Sequence, residues 1–452
     1  MQYAIHKLAR WIKAQAHSKL PEEVSQACIR AILDTVGVAF AGGDASQAIA
    51  AREFAEAEYG AGSAVVIGGA QRLTARGAAF ANGVAAHTFD FDDTCYAGIC
   101  HGSAVILPAI LASAQHRECS GQELIQAFAI ASEIAYALGS CLGDGVYYRG
   151  WFNTSLLGSI GAAAGVATIL KLDDTATAAA MANTISHCGG SRSILGTNFK
   201  PVMAGQAAAL GVECAHLAAA GLSAAPNALE HRFGLAALTG ADTTDDQYGF
   251  KALGKPWRLI EPGLAVKRYP VCSAAQAAIE GVATIAQVNA INAESVVSID
   301  CFVPKLVAIS LPYRTPTTTA EAQFSLPFTV ACALIHGDLT HRHLKGDNYQ
   351  DDRIKKAINR VHMHALEDAD PLAAKLQPEG VHIIVTTKNG ERFQKMIPEA
   401  YGMPGRPFSD EALDKKFLAC LRDCSPDGDQ LLRELRNLAI SPDVSNLMAT
   451  SR

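Results

Sequence analysis

The sequence contains no C-x-x-C pair, although it holds 12 cysteines, at positions 28, 95, 100, 119, 141, 188, 214, 272, 301, 332, 420 and 424. That absence excludes a zinc ribbon or a dithiol redox motif, and the scattered thiols read as small, reduced core residues. Charge is scarce: 18% of residues are charged, the formal net charge is −6, and no long Lys/Arg run occurs. Nucleic acid and membrane surfaces are therefore not expected partners. No uninterrupted apolar run of about 18 residues is present, so no transmembrane helix is expected. The opening MQYAIHKLARWIKAQ intersperses charges among its apolar positions, which suits an amphipathic helix and not the apolar core of a signal peptide. Tandem repeats and low-complexity tracts are missing too. These absences lead us to expect a cytoplasmic protein.

Apolar residues are plentiful, at 49% of 452 positions, enough for a large core in two or three domains and for a compact, oligomeric enzyme. Up to about residue 265 they recur at helical spacing. In PEEVSQACIRAILDTVGVAFAGG, Pro21 suits a first turn, Glu22 and Glu23 favour its positive end, and Gly42-Gly43 stops it. SLLGSIGAAAGVATILKL and AGQAAALGVECAHLAAAGL are nearly apolar all round, as in helices buried on most sides, and their small residues permit close approach. The pattern changes near Pro270. SVVSIDCFVP reads as a strand, and GVHIIVTTKNGERFQKMI as a hairpin with Asn389-Gly390 in a type I′ turn. A last amphipathic helix, capped by Ser409 or Asp410, presents Leu413, Phe417, Cys420 and Leu421. The expected fold is mainly α: a large all-α domain from 1–265 plus 405–452, with a smaller α+β lid inserted at 266–404. The cleft between them is the natural substrate site.

The densest chemistry is HTFDFDDTCYAGICHGS, His87 to Ser103. Three readings compete. Asp90, Asp92 and Asp93 could hold Mg²⁺, or join His87 or His101 on a transition metal. The acids could cap a turn or helix. Or the stretch could do acid–base chemistry without a metal. DFDDT also faintly resembles the acidic motif of terpene synthases, but the second motif those enzymes need fails at Gly190.

The third reading gains from a resemblance. NGVAAHTFDFDDT followed by a histidine and AVILPAILASAQ, then GWFNTSLLGSIGAAAG, GTNFKPVMAGQAAALG, KRYPVCSAAQAAI and AEAQFSLPFTVACALIHG, resembles the MmgE/PrpD family over nearly the whole chain. That family includes 2-methylcitrate dehydratases, cis-aconitate decarboxylases and iminodisuccinate epimerases. The resemblance implies a helical domain with an inserted α+β lid, a homodimer, no cofactor, and a small di- or tricarboxylate substrate. The positions that match are Asp90, Asp93, Thr94, His101, Lys200 and Lys267. It implies that Asp90, Thr94, His101 and Lys200 line the reaction pocket, with Asp90 or Asp93 orienting His101. An imidazole moves protons near neutral pH, and a lysine holds a carboxylate or acts as a base when desolvated.

Departures from the family pattern are specific. Phe152, Met203 and Gln276 stand where the family often has histidines, and His101 follows Thr94 one residue later than the pattern. Tyr147 matches a tyrosine of the epimerase branch, with Tyr148 its neighbour in case of a register shift. Tyr147 and Lys200 on opposite faces of a substrate would make a two-base epimerase. Arg149 and Arg192 can pair a carboxylate bidentately, or be ordinary surface arginines. Cys272 reads as packing more than as a nucleophile, and Gln276 as a pocket residue. His6, His17, His116, His216, His362 and His364 read as surface or core residues. The family reactions share removal of a proton α to a carboxylate. Loss of hydroxide or CO₂ makes a lyase, which is the primary expectation. Reprotonation on the other face makes an epimerase, and a silent ligand-binding member is the third reading.

Overall fold

The computed structural model describes residues 3–241, 252–346, 348–422 and 427–448. Helix accounts for 57% and strand for 9%, a mainly α fold. The helical body is built from α1 (Glu22–Gly42), α2 (Ala75–His87), α3 (Ser103–Ala114), α4 (Gly121–Leu142), α5 (Asn153–Ile169) and α6 (Phe199–Ala219). Further helices pack around these, with a short hairpin of β1 (Ala61–Val65) and β2 (Arg72–Leu73). Pro21 precedes α1 and its two glutamates occupy the first turn, where their charge meets the positive end of the helix dipole.

Glycine sets the helix spacing. A Cβ on Gly158 of α5 would lie 3.0 Å from Val105 of α3, and one on Gly165 would lie 2.6 Å from Ile110. At the α2–α6 crossing, a Cβ on Gly205 would meet the Phe80 carbonyl oxygen at 2.5 Å, and one on Gly83 would meet the Gly205 Cα at 2.9 Å. The two helices run antiparallel there. The crossing therefore brings His87, at the C-terminal end of α2, against Lys200, at the N-terminal end of α6.

Past residue 266 the chain forms α7 (Gln276–Val288) and α8 (Leu326–His336) beside a four-stranded sheet. Its strands are β3 (Val296–Val303), β4 (Val361–Ala365), β5 (Val381–Thr387) and β6 (Arg392–Ile397), in the order β4-β3-β5-β6. β3 and β4 are parallel; the other pairs are antiparallel, with Cys301 opposite Ile383 and Ile383 opposite Lys395. α7 covers β5 and β6, and α8 packs on α7. After β6 the chain forms α9 (Asp410–Leu421), which is capped by the Ser409 hydroxyl and packs on α1.

Two expectations change here. The β5–β6 turn is not type I′. Gly390 has φ +83° but Asn389 does not have positive φ, and the Gly390 N–H donates to the Thr387 carbonyl at 2.9 Å. That is a type I turn closed by a left-handed glycine, which needs only one residue at positive φ. Second, α1, α4 and α6 are by length and composition apolar enough to cross a membrane. Their apolar windows are 83%, 89% and 56% buried within the fold, so helix packing accounts for most of that hydrophobicity. The 11 described cysteines are free thiols; Cys424 lies outside the described residues.

Candidate active site

The loop after α2 makes the site. Asp90 has φ +48°, a left-handed conformation that aspartate tolerates better than most residues. Its partners hold it there. Lys200 Nζ donates to Asp90 Oδ1 at 2.9 Å and lies 2.5 Å from His87 Nε2. Lys267 Nζ donates to the Asp90 carbonyl at 2.8 Å and lies 3.2 Å from Oδ1. A backbone bridge between Thr94 and Ala265 aligns the two segments and puts Lys267, fully buried, beneath Asp90. Burial alone would raise the Asp90 carboxyl; Lys200, Lys267 and His101 outweigh it and hold it far below the usual range. Burial alone would likewise lower the Lys267 ammonium, but Asp90 and Asp92 raise it.

Behind this pair runs a relay. His87 Nδ1 faces both Asp92 oxygens at 2.9 and 3.0 Å, so Nδ1 carries the proton and Nε2 accepts from Lys200. His101 is oriented in a related way. Its Nδ1 lies 3.0 Å from the Asp93 carbonyl oxygen and 3.2 Å from Thr94 Oγ1, which places the proton on Nδ1. Nε2 keeps its lone pair, 3.7 Å from Asp90 Oδ1. Burial first, then Lys267, lowers the imidazole to about 4, so it is neutral at pH 7.

A cavity of about 40 Å³ lies above these groups, and His101, Lys200, Asp90, Thr94, Tyr147 and Arg192 all line it, as does Cys272. The Arg192 guanidinium stacks 3.6 Å from the Tyr147 ring centroid and donates to the Tyr147 carbonyl at 3.0 Å. Its Nε is buried with no hydrogen-bond partner among the described residues. The Tyr147 hydroxyl sits 3.3 Å from Ser310 Oγ, and burial pushes it up to about 12. Burial also pushes the Cys272 thiol up to about 12, which suits packing and not a thiolate. Phe152 lines the cavity with its ring centroid 5.6 Å from Lys200 Nζ.

Four sequence candidates fall elsewhere. Asp93 does not line the cavity: it is fully buried, accepts from Ser103 Oγ at 2.6 Å, and orients His101 through its backbone, not its carboxylate. Burial, with Asp34 and Asp92 near, raises its carboxyl to about 8. Lys267 is likewise beneath the cavity and not in its wall. Arg149 is exposed, and its nearest polar partner is the Thr239 carbonyl at 3.4 Å. The Gln276 carboxamide binds the backbone of Arg268, Tyr269 and Val271. It clamps the turn between Lys267 and Cys272 and does not reach the cavity. Sequence reasoning gave His87 and Asp92 only to the metal reading, and missed Glu379 altogether. Glu379 lines the cavity from the lid and accepts from Ser273 Oγ at 2.9 Å and from the Tyr96 hydroxyl.

His87, Asp90, Asp92 and His101 bring possible ligand atoms within 4.8 Å of one another. Two ammonium groups already occupy Asp90 in that cluster.

The helical body and the sheet-bearing region thus border a small cavity walled by an ion-paired aspartate, a neutral imidazole and an arginine whose Nε has no partner among the described residues. The chain belongs to the MmgE/PrpD family. The profile of the MmgE/PrpD N-terminal domain matches residues 6–247, and that of the C-terminal domain residues 269–439. Cis-aconitate decarboxylase of Homo sapiens is 28% identical over 415 residues, covering 88% of this chain and 84% of that protein. The Mus musculus enzyme of the same name is 27% identical over 402 residues, covering 86% and 81%. The cis-aconitate decarboxylase-like protein oryM of Aspergillus oryzae is 24% identical over 479 residues, covering 98% and 96%.

Proposed function

We propose that this protein is a metal-independent lyase acting on a small polycarboxylate, through a carbanion generated next to a carboxylate. The observation that carries the reading is that His101, whose Nδ1 is held by a carbonyl so that Nε2 keeps its lone pair, and Lys200 line one small cavity. In this mechanism Arg192 receives a substrate carboxylate through its spare Nε. His101 Nε2 takes or returns the proton, and Asp90 balances the imidazolium. Lys200, held by Asp90 and His87, faces the negative charge that develops in the enolate-like form, where a fixed cation is worth most. For dehydration, hydroxide then leaves from the neighbouring carbon with its bonding pair. For decarboxylation the order reverses: departing CO₂ leaves its bonding pair as the enolate-like carbanion, and a protonated His101 delivers a proton to it. The decarboxylase names of the relatives favour CO₂.

Ligand pockets usually run to roughly 300 Å³ or more, so the 40 Å³ cavity corresponds to a closed lid, and entry requires the lid to move. The ammonium groups on Asp90 disfavour a divalent cation by like-charge repulsion. Epimerisation is the second reading, favoured by Tyr147 in the same cavity as Lys200. Proton NMR in D₂O with a panel of di- and tricarboxylates tests the proposal. New vinyl signals support a lyase, deuterium wash-in without net product supports an epimerase, and silence across the panel sinks both. Dialysis against EDTA should leave turnover unchanged; loss restored by Mg²⁺ or Zn²⁺ would overturn metal independence.

A further inference from the structure

Glu379 is the one carboxylate that reaches the cavity from the lid among the described residues. Its turn is pinned to the sheet: the Gln377 N–H donates to the Pro398 carbonyl at 3.1 Å, and a Cβ on Gly380 would meet that same oxygen at 2.5 Å. Both Glu379 oxygens accept hydrogen bonds, one from Ser273 and one from Tyr96. Tyr96 lies in the loop between Thr94 and His101, two residues that line the same cavity. Glu379 also lines an outer cleft of about 230 Å³ with Pro262, Pro378 and Pro398. It therefore stands where the reaction cavity meets the outside.

Charge at the cavity wall is nearly balanced. Asp90 and Glu379 oppose Lys200 and Arg192, and Arg192 is the lining cation without a carboxylate partner among the described residues. Phe152, also in the wall, adds no charge. With its oxygens acting as acceptors, Glu379 welcomes an O–H or N–H and repels another carboxylate.

We propose that Glu379 is a specificity-determining residue, which makes the site select dicarboxylates whose remaining substituent is neutral or a hydrogen-bond donor, against tricarboxylates. The inference rests on the polycarboxylate reading above.

The test is calorimetric titration of the full chain with succinate and tricarballylate, which have two and three carboxylates. Wild type should bind succinate at least as tightly. Glu379→Gln should shift the ratio of affinities toward tricarballylate by about tenfold, since a trianion gains more than a dianion when one like charge leaves the wall. Glu379→Ala should shift it the same way, so either variant that melts as a folded protein decides the point. If a folded variant keeps the wild-type ratio, Glu379 does not select and the inference falls while the polycarboxylate site stands. If wild type binds neither acid, the polycarboxylate reading falls and takes this inference with it.

Discussion

Asp90 makes three polar contacts on a left-handed backbone: two ammonium groups hold it, one imidazole faces it, and the positive φ aims it. His101→Ala and Lys200→Ala should each lower kcat by about 10²-fold, the usual scale for a general acid–base group. The double variant should fall far short of the product, because the groups act as a unit; two variants with near-full turnover would exclude the mechanism. His101 near 4 also predicts that the acid limb of kcat/KM lies near pH 4, where the base gains its proton, and not near 6.5. Asp93 gives a stability test. Its carboxyl is raised from 3.8 to about 8, so between those values the folded state keeps a proton that the unfolded chain has lost. Stability from this group is complete below 3.8 and drains away as pH rises through about 8. Asp93→Asn removes the dependence, and its melting temperature relative to wild type should climb from pH 5 to pH 8 and then level off. A flat difference would contradict the buried, protonated acid. The sequence made Asp90, His101 and Lys200 legible because the acid stretch and the lysine segment resemble family motifs. It misassigned Asp93, since nothing in DFDDT tells which acid turns inward, and it missed Glu379, whose partner Tyr96 is 283 residues away.

Between residue and fold, the α2–α6 crossing decides whether His87 and Lys200 meet at all. Adding one methyl at Gly205 puts it 2.5 Å from the Phe80 carbonyl, a backbone atom that cannot swing aside. Gly205→Ala should therefore cost about 1–3 kcal/mol, the usual range for overpacking, and should lower kcat as well by pulling Lys200 away from His87. Urea melts with activity assays on the same samples check both effects; a variant as stable and active as wild type would show that the helices have slack. Small residues at helical spacing made close packing legible here, although they do not say which two glycines touch. The β5–β6 turn failed for a different reason. Asn-Gly suits type I′, yet one more residue in the loop lets Gly390 alone take positive φ, and loop length is set by strand register, which no local motif encodes.

At the scale of the whole molecule, the chain leaves the helical body, builds the sheet and its helices, and comes back. The change of periodicity near Pro270 and the unpaired apolar face of the last helix pointed to that return. The sequence did not show how near the return comes to the chemistry. Lys416 on α9 donates to the Phe91 carbonyl at 3.1 Å and pairs with buried Asp34 at 2.7 Å, so α9 buttresses the loop that carries Asp90 to Asp93. Phe417 packs on Gly37 of α1, where a Cβ would lie 3.0 Å from its ring. Phe417→Ala would open a void at that contact, and large-to-small changes of this kind cost about 3–5 kcal/mol. Ending the chain at residue 409 does more. It bares the α1 face that Leu413, Phe417, Cys420 and Leu421 cover, strips Asp34 of its counter-ion and frees one side of the acid loop. The truncated protein should aggregate on expression, and any soluble fraction should have lost turnover, as read by size-exclusion chromatography and the NMR assay. Lys416→Met separates the two roles: it keeps the apolar contact and removes the charge, so it should stay soluble while turnover falls. A soluble, fully active truncation would mean that the lid and the acid loop hold their geometry without the returning helix.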